Sequence, residues 1–142
     1  LAAPRRIDVG CEGGIAATVT APPTELRSIF DNLIDNALRH SPEGGVVDVR
    51  LHEVEGRPVV DAVDNGPGIP SALIDRAFVR FFRVPGTAAE GSGLGLAIAR
   101  MAAQRNGLRI VLANRHDSQG RQAGLQARVH LMGDPSVGGA AA

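Results

Sequence analysis

Lysine is absent from this 142-residue chain: all fifteen basic residues are arginine, and fifteen acidic residues balance them to a formal net charge of +0. Without lysine there is no G-x-x-x-x-G-K-[ST] phosphate loop, so a nucleotide would have to be held in another way. The balanced charge supplies no overall basic field, and nucleic acid is not an expected partner. Cys11 is the only cysteine, which rules out an internal disulfide and a cysteine-based zinc site and fits a reducing compartment. No apolar run reaches the roughly eighteen residues of a membrane span, and no basic-then-apolar leader opens the chain. The domain is therefore expected to be soluble and to make no membrane contact itself. A start at Leu1, without methionine, leads us to expect a piece of a longer, membrane-bound protein. The length suits one domain with a single core, expected over residues 1–132, with a small-residue tail over 133–142 expected to be disordered.

What is present is ordered punctuation. "RRIDVG" and "IAATVTA" alternate loosely and predict two short strands, ended by Pro22 and Pro23. Thr24 is placed to cap a helix through "ELRSIFDNLIDNALRH", in which Leu26, Ile29, Phe30, Leu33 and Ala37 recur at helical steps. After "SPEGG", the alternation of Val47, Val49 and Leu51 against Asp48, Arg50 and His52 predicts a strand, and "EGRP" turns it into a hairpin with "VVDAVD". A short helix is expected over "SALIDRAF". Another over "LGLAIARMAAQRN" has Leu94, Ile98 and Met101 on one face and Gly107 as its cap. Two strands flanking "HDSQGRQ" close the pattern. Strands and helices mixed in this way predict an α+β fold: a two-layer sandwich with a mostly antiparallel mixed sheet and helices on one face.

Three local patterns carry chemistry. Asn32, Asn36 and Arg39 share one helix face away from the apolar stripe, and an Asn carbonyl oxygen can complete a magnesium ion held mainly by phosphates and water. A solvated helix face is the plain alternative. In "VDNGPGIP", Asp64 ends a strand, where a carboxylate can accept from an exocyclic amine such as adenine's, while Gly66 and Gly68 let backbone approach a flat ring; Asn-Gly and Pro-Gly are also ordinary turn signals. In "EGSGLGLAIAR", Gly91, Gly93 and Gly95 stand at a helix start, where free N–H groups and the dipole favour phosphate.

The order and spacing of these patterns resemble the N box, the two glycine boxes and the phenylalanine box ("FVRFF") of the histidine-kinase ATP-binding domain, over roughly Arg6 to Met132. The resemblance implies the Bergerat ATP-binding fold, with ATP and Mg2+ as cofactors. Asn36 would ligate magnesium, helped by Asn32, and Arg39 would reach toward the phosphates. Asp64 would read the adenine amino group, with His40, Gly66, Gly68 and Ile69 bordering that pocket. Gly91, Gly93, Leu94, Gly95 and Leu96 would bring the second glycine segment to the triphosphate. Val84 to Ser92 would form a lid, Arg83 would touch the γ-phosphate as the second catalytic residue beside Asn36, and Phe78, Phe81 and Phe82 would either anchor the lid and meet a partner domain or pack in the core.

Two departures from the family pattern matter. The lid has no basic residue, so phosphate grip falls on Arg83 and Arg39. Asn32 stands where ATP-hydrolysing relatives carry a water-activating glutamate, and an amide cannot act as that base. No histidine here suits the role of acceptor, since His52 lies on a predicted strand. The expected reaction is thus transfer of the γ-phosphoryl of Mg-ATP to a histidine on a separate dimerisation and phosphoacceptor domain of the same full-length protein. A response regulator would lie downstream and the setting would be cytoplasmic. An anti-sigma-factor-type serine kinase and a non-catalytic nucleotide-sensing module share the same pattern.

Overall fold

The computed structural model describes residues 7–13, 17–82 and 93–131. Arg83, Gly91, the expected lid and the expected C-terminal tail lie outside the described residues. Within them, five strands form one sheet in the order β1-β2-β3-β5-β4, where β1 is Ile7–Gly13, β2 Gly45–Val54, β3 Arg57–Asp64, β4 Arg109–His116 and β5 Gln122–His130. β1 runs parallel to β2, and the other three pairings are antiparallel. Two helices, α1 (Pro23–His40) and α2 (Gly95–Arg105), pack against each other and against the sheet. This is the two-layer α+β sandwich expected from the pattern.

The described part of "IAATVTA" is not a strand: residues 17–20 are irregular, and Ala17 and Val19 pack on the core instead. The parallel pairing of β1 with β2 explains this, because a parallel pair needs a long crossover and the chain after β1 must travel to the helix layer. Nor does Thr24 cap α1. The helix begins at Pro23, where a missing N–H costs nothing, and the Pro22 carbonyl accepts from the N–H groups of Glu25 and Leu26. Its predicted stripe is buried as expected, with Ile29, Leu33 and Ala37 sealed from solvent.

The buried face of α2 differs from the predicted one. Ala97, Ala99, Ala102 and Ala103 face inward, while Ile98 and Met101 are 42% and 50% exposed. Alanines let α2 lie close beside α1 and the sheet, and close approach with small residues outweighs the burial of larger ones. Gly107 caps the helix as expected, with φ +70. The short helix expected over "SALIDRAF" is present as a 3-10 helix over Ser71–Arg76.

The sheet face away from the helices is pinned by an ion cluster. Asp61 on β3 accepts from Arg128 on β5 through both carboxylate oxygens (2.7 and 2.8 Å), and His52 on β2 lies 2.7 Å from Oδ2. Burial pushes the Asp61 carboxyl up, but the Arg128 and His52 hydrogen bonds outweigh it and hold it below its ordinary value. A depressed carboxylate stabilises the fold above its unfolded pKa of about 3.9, and that contribution is lost as pH falls through the folded value. Asp61→Asn is expected to cost about 2 kcal/mol at neutral pH, less than a fully buried pair because Arg128 and His52 keep some solvent access. Acid unfolding followed by circular dichroism would show a shallower loss of stability below about pH 5 in the variant. Parallel acid limbs in the two proteins would refute it.

Candidate functional site: a nucleotide pocket along helix α1

Asp64 ends β3 and is 2% exposed. Its Oδ1 accepts from the N–H of Gly66 at 2.9 Å, a side chain closing the turn that follows it, and from the N–H of Leu125 on β5 at 3.2 Å. No buried side-chain polar atom among the described residues lacks a partner. Oδ2 takes no bond from the described residues, so it reaches their surface and can serve as an outward-facing acceptor. Burial pushes the Asp64 carboxyl up, against the two N–H donors and the charges of His40 and Arg115.

The loop after Asp64 is pressed between α1 and the β4–β5 hairpin. A Cβ on Gly66 would fall 2.1 Å from the His40 carbonyl oxygen, so only glycine allows this approach to the end of α1. Gly68 has φ +74, and a Cβ there would lie 2.6 Å from Asn114 Oδ1. Ile69 is buried, and Asn65 Oδ1 accepts from the N–H of Val46, fixing the loop to β2.

Helix α1 is the shared wall of the site. Its last residue, His40, touches Gly66, and two turns earlier Asn32 faces Gly95 at the start of α2, with Oδ1 3.2 Å from where a Cβ of Gly95 would stand. Asn36 lies between them on the same face, half buried, and its carboxamide has no protein partner among the described residues. Asn32, by contrast, donates to the Ser28 carbonyl at 2.7 Å, so part of its amide serves the helix. Arg39 is held to Asp35 through Nε at 2.7 Å. The first turn of α2 carries no acidic residue and no side-chain cap, which leaves Leu94, Gly95 and Leu96 at a helix end that favours anions.

The phenylalanine segment divides its roles. Phe78 packs on the core beneath the Arg100 guanidinium, 5.1 Å above its ring, and Phe82 lies against Arg76 at 5.5 Å. Phe81 has φ +65, is 66% exposed, and donates its N–H to the Gly93 carbonyl at 2.9 Å. Sequence reasoning did not find Asn114, Arg115, Gln122, Gly124 or Leu125, all of which support the Asp64 loop from the far hairpin. An asparagine inside an apolar strand was the one available signal, because carboxamides are depleted there.

A buried carboxylate with one open oxygen, a carboxamide without a described partner on the adjoining helix and a glycine-opened helix start lie together along α1 of the α+β sandwich. Residues 21–132 match the histidine kinase-, DNA gyrase B- and HSP90-like ATPase family, and the chain belongs to it as an ATP-binding domain of the histidine-kinase type. It is 36% identical to the swarming motility regulation sensor protein RssA of Serratia marcescens over 80% of this chain and 24% of that protein. It is 39% identical to the sensor protein QseC of Escherichia coli over 78% of this chain and 22% of that one. The chain thus spans about a quarter of the length of these relatives. Among solved structures it resembles a mycobacterial sensor histidine kinase, MprB, with a TM-score of 0.76, 30% identity and coverage of 88% of this chain and 82% of that one. No described helix is long and apolar enough to cross a membrane.

Proposed function

We propose that this chain is the phosphoryl-donor half of a sensor histidine kinase, binding Mg-ATP and passing its γ-phosphoryl group to a histidine on another domain of the full-length protein. The observation that carries this is Asp64, buried with one oxygen satisfied and the other open, beside an α1 face whose Asn36 has no partner among the described residues.

Asp64 Oδ2 would accept from the adenine amino group, with Ile69 in the floor beneath the ring and His40 at the edge. Gly93 and Gly95 would bring backbone N–H groups to the phosphates. The residues fit a magnesium ion held mostly by substrate: among the described residues no cluster of three or more His, Cys, Asp or Glu could cage a metal, and one neutral amide oxygen, from Asn36, suits an ion that keeps phosphate and water ligands. Bound there, magnesium would neutralise charge developing on the phosphates. Asn32 cannot take a proton from water, so the site holds ATP for transfer rather than hydrolysis. Arg83 and Arg39 would supply positive charge toward the γ-phosphate.

The acceptor domain would dock on the phenylalanine segment and α2. Val79, Phe81, Ile98 and Met101 are all exposed apolar residues, and the two elements are tied by the Phe81–Gly93 hydrogen bond and the Arg100–Phe78 contact. Association would bury this surface, and a response regulator would then take the phosphoryl group in the cytoplasm. Relatives that are sensor proteins favour this reading over a serine kinase or a non-catalytic module.

Calorimetric titration with ADP and a non-hydrolysable ATP analogue, with and without magnesium, tests the proposal. Saturable binding strengthened by magnesium is expected; no heat at millimolar nucleotide would overturn it.

A further inference from the structure

On β4, Ile110, Leu112 and Asn114 point to the helix side of the sheet, the first two into the core. Asn114 continues their row with a carboxamide instead of an apolar side chain. Both of its polar atoms go to one loop residue forty-five positions away. Asn114 Oδ1 accepts from the N–H of Ile69 at 2.8 Å, and Nδ2 donates to the Ile69 carbonyl. A single side chain thus pairs with both backbone groups of Ile69, as a neighbouring strand would. Gln122 Nε2 adds a second donor to the same carbonyl at 3.0 Å.

The other end of the loop is fastened from the same hairpin. Arg115 donates to the Asp64 carbonyl at 3.1 Å, the Leu125 N–H holds Asp64 Oδ1, and a Cβ on Gly124 would fall 2.0 Å from the Asp64 carbonyl oxygen. Gly68, between the two ends, lies so close to Asn114 that no side chain fits.

We propose that Asn114 is a positioning residue for adenine recognition: it clamps Ile69 and thereby sets the loop that carries the base-reading carboxylate. The inference rests on the reading of Asp64 and its loop as the adenine pocket. Asn114 touches the loop backbone and acts on nucleotide only through it. Gln122, with its single bond to the Ile69 carbonyl, is the weaker helper.

Asn114→Asp tests this with almost no change of shape. Ionised, the new carboxylate can accept from the Ile69 N–H but sets lone pairs against the Ile69 carbonyl. Protonated, it has a hydroxyl to donate, and the clamp is restored. ADP affinity of the folded variant is expected to be about tenfold below wild type at pH 8, the size of one lost and one repelled hydrogen bond. The variant-to-wild-type ratio should climb toward one as pH falls through the titration of the new carboxyl, which the facing Ile69 carbonyl raises above the ordinary carboxylate value. Taking the ratio cancels the titration of Asp64 itself. Melting temperatures at each pH separate folding from binding, since a residue that only supports the fold would move melting and leave the affinity of folded protein unchanged. Equal affinities at pH 8, or a deficit that ignores pH, would overturn the clamp. Absence of ADP binding by the wild type would instead overturn the reading of the pocket, and the clamp with it. Should Asn114→Asp not fold, Gln122→Ala at an exposed position is expected to weaken ADP about threefold with unchanged melting, and no change in affinity would count against the proposal.

Discussion

Asn36→Ala is expected to remove the magnesium dependence of nucleotide binding and to lower phosphoryl transfer in the full-length protein about a hundredfold or more, the scale of losing one group that stabilises transition-state charge. The fold should not suffer. Asn36 makes no hydrogen bond within the described protein and sits mid-helix, where alanine is the better helix former by about half a kcal/mol. Stability and function should therefore move in opposite directions, as expected at a side chain kept for a ligand. Asn32→Ala is the internal contrast. It removes the bond to Ser28 and the contact with Gly95, so its effect should fall on the start of α2 as well as on any metal. Calorimetry of ADP with and without magnesium separates the two: an Asn36 variant that keeps its magnesium response would remove this residue from the site.

Asp64→Asn is expected to weaken ADP binding by roughly ten- to a hundredfold, corresponding to about 1.5–3 kcal/mol for a hydrogen bond to a charged group. The substituted amide can still offer an oxygen to Gly66 and Leu125, but its NH2 then meets the adenine amine donor to donor. Discrimination between ADP and the inosine analogue, which lacks that amine, should collapse. The pH dependence follows from burial, which raises the Asp64 carboxyl above its ordinary value. Adenine needs the ionised acceptor, so wild-type affinity should begin to fall, as pH decreases, above the usual carboxylate range. The variant should lack that limb. For folding the sign is reversed: a carboxyl whose pKa is raised in the folded state favours folding when protonated, and the advantage is lost as pH rises through the interval between unfolded and folded values. The variant should accordingly be no less stable than wild type at neutral pH. An unchanged ADP affinity would dismiss Asp64 as the base-reading group.

Much of the fold was legible because its causes are local. The stripe of Ile29, Leu33 and Ala37 encodes a helix wherever the chain goes, and Glu55–Gly56 turns β2 into β3 with no help from elsewhere. Errors came where a distant partner decided. Ile98 and Met101 read as a buried stripe, yet α2 turns its alanines inward because α1 and the sheet must come close. The segment after β1 alternated well enough for a strand, but parallel pairing with β2 required it as a crossover.

At the site the division is the same. By itself the sequence determined the α1 face with Asn32 and Asn36, the carboxylate at the end of β3 and the glycines of both loops, since each is a short pattern with its own turn or helix chemistry. Only the tertiary structure decided which Asp64 oxygen stays open, which amide is committed and which is available, and that the loop is held by Asn114, Arg115 and Gln122. The contacts of Asn114, Arg115, Gln122 and Leu125 with the loop join residues 45 to 61 positions apart through strand register, and register is a property of the assembled sheet that no local window contains.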